Sequence, residues 1–115
     1  MKNILILILF FSINQAISQE KIGIKEIYIS NNLAYKVSND KLFSGIAQKV
    51  RNNGHLVYEE KYENGIILIS NLYYNTLENV VSDKIIYNPE KPFVISKEIR
   101  FGNTTDWDQI TYYDE

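Results

Sequence analysis

The chain has no cysteine, two prolines, one histidine, one methionine and one tryptophan among 115 residues. Without cysteine there is no disulfide, no thiolate nucleophile and no thiolate metal site. The lone histidine, His55, cannot anchor a zinc centre, which needs three or four ligands from Cys, His or carboxylates. It stands directly after Gly54 and reads as a solvated residue at a strand start. No Gly-rich phosphate loop and no Ser-centred elbow occurs, so the inventory for nucleophilic or nucleotide chemistry is empty. An excess of basic residues is also missing. The formal net charge is −2, and the lysines are scattered among Glu and Asp, which argues against nucleic acid or anionic lipid as partners. No window holds the 3.6-residue period of an amphipathic helix for more than two turns, so little helix is expected after residue 18.

A long apolar run occurs once, from Ile4 to Phe11, behind Lys2 and ahead of Asn14-Gln15. One Lys, a short apolar run and the small residues Ala16 and Ser18 have the form of a secretory signal peptide, with cleavage expected after Ser18. The run is roughly half the ~20 residues of a membrane span, and no Cys follows that could carry a lipid. The other reading is a buried first strand, but an unalternating apolar run would be an aggregation hazard if retained. The expected organisation is therefore a signal peptide at 1–18 and a single β-sheet domain at 19–115, exported to the periplasm or the outside. The shortened chain has a net charge of −3 once Lys2 is lost.

Three copies of one short pattern recur at an eleven-residue interval: Arg51-Asn52-Asn53-Gly54, Tyr62-Glu63-Asn64-Gly65 and Tyr73-Tyr74-Asn75-Thr76. Each closes one alternating run and opens another. Asn-Gly supplies the positive φ angles of tight hairpins, so Asn53, Gly54, Asn64 and Gly65 are the expected structural turns. Before the repeats, Ile24 to Ile29 and Leu33, Tyr35 and Val37 read as strands separated by Ser30-Asn31-Asn32. Gly45 is expected to mark a bulge or a close approach. Beyond Thr76, Val80-Val81 with Lys84 to Tyr87, then Phe93 to Phe101, continue the β character around Asn88-Pro89-Glu90-Lys91-Pro92, which only a loop accommodates. A last short strand precedes Asp114-Glu115.

Counting from each repeat glycine, Leu56, Tyr58 and Tyr62, then Ile67, Ile69 and Tyr73, are expected on the core face. The opposite parity is polar in one copy (His55, Val57, Glu59, Lys61) and apolar in the next (Ile66, Leu68, Ser70, Leu72, Tyr74). Such a face is either packed on both sides or binds something. With the paired rings of the C-terminal strand, the candidate binding face comprises Leu68, Leu72, Tyr74, Trp107 and Tyr113. Nine tyrosines could equally be cross-strand packing in a thin sheet. Asp106 and Asp108 share a strand face around Trp107 and have the spacing of a calcium pair or a paired acid and base, against the plainer reading of a charged turn.

The stretch from Gly45 to Tyr74, with its Tyr-x-Asn-Gly turns every eleven residues, resembles the variant form of the membrane occupation and recognition nexus repeat. Arg51 stands in place of the first Tyr and Thr76 in place of the third Gly, and Gly45-Ile46-Ala47 replaces a Gly-x-Trp element. Repeats are expected at about 45–76, with a partial unit at 110–115. The resemblance implies an all-β fold, an antiparallel meander of stacked β-hairpins forming an elongated sheet, and a grouping with bacterial antitoxin-like proteins. The expected function is a non-catalytic, exported protein-interaction module with no cofactor and no metal, acting in an antitoxin or immunity-like role. Its partner would be another protein, with self-association through open sheet edges as a further route. The alternative is a periplasmic or surface module that binds glycan or peptidoglycan through exposed aromatic side chains. A small hydrolase using Asp106 and Asp108 ranks below both.

Overall fold

A computed structural model describes residues 20–102 and 108–113. The expected signal peptide, Asp106 and Trp107 lie outside the described residues.

The fold is all-β. Nine strands form, and no α-helix occurs among the described residues. Six of them, β4 (Gly45–Val50), β5 (Leu56–Glu63), β6 (Ile66–Tyr73), β7 (Val81–Tyr87), β8 (Ile95–Arg100) and β9 (Gln109–Tyr112), run as an antiparallel meander in chain order. This is the stacked-hairpin architecture expected from the turns. The first strand departs from it: β1 (Glu20–Gly23) pairs with β4 in parallel, making the seven-stranded sheet mixed. Between them a single 3₁₀ turn (Ile24–Glu26) interrupts the run read as one strand, and β2 (Ile27–Ser30) and β3 (Leu33–Lys36) form a separate hairpin. Asn31 and Asn32 close that hairpin with φ of 52° and 62°. Asparagine is the non-glycine residue that tolerates this region best.

The repeat turns differ in detail. At Asn64-Gly65 both residues have positive φ (49° and 79°) and Glu63 pairs directly with Ile66, a two-residue hairpin of the primed type. At the first copy only Gly54 is positive, at 89°. There the Gly54 N–H donates to the Arg51 carbonyl and the Arg51 N–H to the His55 carbonyl, so a three-residue loop replaces the two-residue one. At the third copy, where Thr76 stands in place of glycine, the loop lengthens until Asn79 supplies the positive φ (55°).

Opposed residues share a face, so the register sorts the side chains. Tyr62 and Ile67 face each other and are both buried, as expected from parity. Leu68 is then skipped: Tyr62 opposes Ile67 while Lys61 opposes Ile69. This bulge shifts the alternation of β6. Past it, Ser70 and Leu72 share the face of Tyr58, Glu60 and Tyr62, whereas Ile69 lies with Lys61 and the Tyr73 hydroxyl reaches Glu59 on the other side. The core assignment of Ile69 and Tyr73 is therefore corrected, because simple counting cannot pass through a bulge.

The buried core is Ala34, Phe43, Ala47, Tyr62 and Ile67, with Ile22, Ile24, Ile27, Tyr87 and Phe93 packed around it. Phe43 and Ile67 are fully buried, each contributing roughly 1.5–3 kcal/mol. The β2–β3 hairpin and residues 42–44 cover one face of the sheet at the Asn64-Gly65 end. Gly65 is drawn into this cover: its N–H donates to the Phe43 carbonyl and its own carbonyl accepts from Ala34. Gly45 is the close approach anticipated for it, with φ of 146° and the Glu20 carbonyl where a Cβ would stand.

Candidate functional site

The cover stops midway along the sheet. At the end that carries Asn53 and Asn75, the core-side face stays open and forms a cleft of about 390 Å³ across β6 to β9. Leu72 and Ile85 supply its apolar floor, Asp83, Glu98 and Arg100 its charges, and Gln109 and Thr111 its outer wall. The register explains the assembly. Ser70, Ile85, Glu98 and Thr111 lie in one cross-strand row, and Leu72, Asp83, Arg100 and Gln109 in the next.

The charges are unevenly matched. Arg100 Nε lies 3.3 Å from Asp83 Oδ1, a partly exposed ion pair worth little by itself. Glu98 accepts from the Tyr113 hydroxyl; partial desolvation and this carboxylate together push the phenol pKa up. Where the cleft meets the core, Glu60 accepts a 2.8 Å hydrogen bond from the Tyr62 hydroxyl. Desolvation raises the Glu60 pKa, and that hydrogen bond opposes the shift only in part. Ser70 is buried beside it, 3.2 Å from the Tyr87 hydroxyl.

Of the residues singled out from sequence, Leu72 lines the cleft and is 38% exposed. Tyr113 stands on its rim beside Glu98. Tyr74, two residues past Leu72, is held at 3.3 Å from the Phe101 carbonyl through its hydroxyl. Leu68 is the bulge residue four positions up the strand, part-buried, and does not line the cleft. Asp83, Ile85, Glu98, Arg100, Gln109 and Thr111 were not anticipated. Their signal was the i, i+2 spacing of Asp83 with Ile85, Glu98 with Arg100 and Gln109 with Thr111, one pair on each of three strands.

The remaining candidates resolve into turn contacts. Asp108 accepts the Gly102 N–H at 2.9 Å, a turn contact. His55 Nδ1 lies 2.7 Å from Asn75 Oδ1, which also accepts from Asn53 Nδ2 at 3.1 Å. Two repeats of eleven residues make one full hairpin, so the first and third turns meet at the same end of the sheet. Among the described residues no group of three or more His, Cys, Asp or Glu is placed to hold a metal, and no helix is long and apolar enough to cross a membrane. No family model, no curated protein and no solved structure matches the chain.

Proposed function

We propose that the protein is a non-catalytic, exported β-sheet module that binds another protein through the cleft on the open half of its core-side face. The observation that carries this reading is the cleft itself: an apolar floor at Leu72 and Ile85, ringed by charges of both signs. A segment of a partner would seat an apolar side chain on the floor and meet Asp83, Glu98 and Arg100 with complementary groups, the arrangement of an apolar centre and a polar rim found in protein interfaces. The apolar N-terminal run supports export, and the eleven-residue repeats support kinship with the variant nexus repeats and an immunity-like role against something acting in the cell envelope.

The test is recovery of a specific partner from envelope extract by the wild-type chain, by Leu72→Lys and by Gln48→Lys on the opposite face, where Gln48 opposes Glu59. Lysine in the cleft is expected to weaken capture at least about tenfold, equivalent to about 1.4 kcal/mol, while Gln48→Lys leaves it unchanged. Absence of any specific partner overturns the reading.

A second reading, glycan binding, is favoured by Tyr74, 44% exposed with its hydroxyl at the Phe101 carbonyl, and by Tyr113, 43% exposed beside Glu98. Flat fluorescence titrations against a panel of bacterial glycans would remove it.

A further inference from the structure

The outer edge of β9 is built differently from the rest of the sheet. Gln109, Ile110, Thr111, Tyr112 and Tyr113 carry no charge, and the strand has neither proline nor bulge. Exposed edges are normally guarded by such features, because an open ladder templates further pairing. The opposite edge is guarded: β1 carries Glu20 and Lys21, and Glu20 is paired with Lys36. Among the described residues, nothing pairs with the free side of β9.

The backbone directions follow from the register. Tyr113 N–H donates to the Ser96 carbonyl, and Thr111 and Gln109 oppose Glu98 and Arg100. Hydrogen-bonded and non-hydrogen-bonded pairs alternate in an antiparallel ladder, so residues 109, 111 and 113 address β8. Ile110 and Tyr112 therefore aim their N–H and carbonyl groups away from the sheet. Their side chains share the face away from the core, Tyr112 lying under the Lys97 ammonium at 5.1 Å. They are 50% and 71% exposed.

We propose that the protein forms a two-fold symmetric dimer by antiparallel pairing of β9 with β9 of a second copy, Thr111 facing Thr111 across the axis. This register sets Ile110 opposite Tyr112 twice, satisfying four outward N–H groups and four outward carbonyls as backbone hydrogen bonds and creating two aromatic–β-branched pairs. A shift of two residues, centred on Ile110, would keep only Ile110 with its copy as an outward-bonded pair inside β9, because Tyr112 would then meet residue 108 beyond the strand end, and a shift of one would turn each apolar side chain to the wrong face.

The pairing also extends the cleft. Gln109 and Thr111 form its outer wall, so the second copy continues the floor past them and joins the two clefts into one groove through the axis. Only a few residues per chain take part, so the interface is smaller than the ~1,600 Å² of a standard stable complex, and the dimer dissociates on dilution.

The test uses the full chain as it accumulates in an expressing bacterium. Light scattering should show a mass that rises toward twice the monomer with concentration. Tyr112→Lys and Ile110→Lys should each hold the monomer at concentrations where the wild type pairs, with unchanged circular dichroism showing that they fold. Thr111 and its copy form a non-hydrogen-bonded pair, with Cβ atoms within about 4.5–5.5 Å, close enough for a disulfide after small adjustment. Because the chain has no other cysteine, Thr111→Cys should give a reductant-sensitive dimer much faster than Asn52→Cys in the β4–β5 turn. A wild type that stays monomeric at its highest soluble concentration overturns the proposal. So does cross-linking through Thr111→Cys no faster than through Asn52→Cys. Either failure leaves the partner reading, tested at Leu72, untouched.

Discussion

Replacing Gly45 by alanine should destabilise the fold far more than the same change at Gly54, although Gly54 belongs to the repeated Asn-Gly motif and Gly45 does not. Both have positive φ, 146° and 89°, so each substitution carries backbone strain of about 1–2 kcal/mol. Around Gly54 the added methyl meets nothing within 4 Å. At Gly45 it would stand against the Glu20 carbonyl oxygen, with Phe43 Cζ at 3.0 Å. The oxygen belongs to β1, which pairs in parallel with β4 through this residue, so it retreats only by opening that pairing. The ring belongs to the core and cannot retreat freely. Overpacking of this kind adds about 1–3 kcal/mol. The lower backbone entropy of the unfolded alanine chain returns about 0.4–1 kcal/mol in both cases. The expected losses are about 1 kcal/mol for Gly54→Ala and about 3 kcal/mol for Gly45→Ala. With a urea dependence of about 1–3 kcal/mol per molar, the second should move the unfolding midpoint by about 1–3 M and the first by well under half as much. Equal shifts would refute the reasoning, and with it the parallel placement of β1 against Gly45.

Phe43→Ala should cost about 3–5 kcal/mol, because the ring is fully buried in a core with few other large side chains; thermal or urea unfolding measures it. Glu60 gives a pH signature. Desolvation lets the native state hold its proton to higher pH than the unfolded chain does, so between the ordinary carboxylate range and the raised value stability falls as pH rises. Glu60→Gln removes that loss, and its urea midpoint relative to wild type should be higher at about pH 7 than at about pH 4. Leu72→Lys and Gln48→Lys both sit on partly exposed strand positions and should each change stability by about 0.5 kcal/mol or less. Their different effects on capture can then be assigned to the face they lie on.

The hairpins were legible because their determinants are local. Asn31-Asn32, Asn64-Gly65 and the loop around Pro89 and Pro92 each announce a reversal of the chain within a few residues. Faces were legible only as far as alternation is unbroken. Tyr62 and Ile67 came out on the core side, but the bulge at Leu68 moved Ser70 and Leu72 there and took Ile69 and Tyr73 to the other side. The parallel β1–β4 pair had no local signature at all, since it joins residues some 25 apart through a separate hairpin. The cleft shares that property. Its charges come from three strands and meet only through register, so Leu72 and Tyr113 were visible as exposed apolar and aromatic residues while Asp83, Glu98 and Arg100 were not. The lysines show the same effect: Lys61, Lys84 and Lys97, scattered in sequence, gather on the face away from the core beside Ile69, Ile86 and Ile99.

The most direct test of a protein partner at the cleft is site-specific photo-cross-linking in cells of the source organism. A photoreactive phenylalanine analogue replaces Leu72 in the cleft or, separately, Gln48, which opposes Glu59 on the other face of the sheet. The account predicts a discrete protein adduct from position 72 that is absent from position 48. Adducts of equal yield from both positions, or none from either, would contradict it.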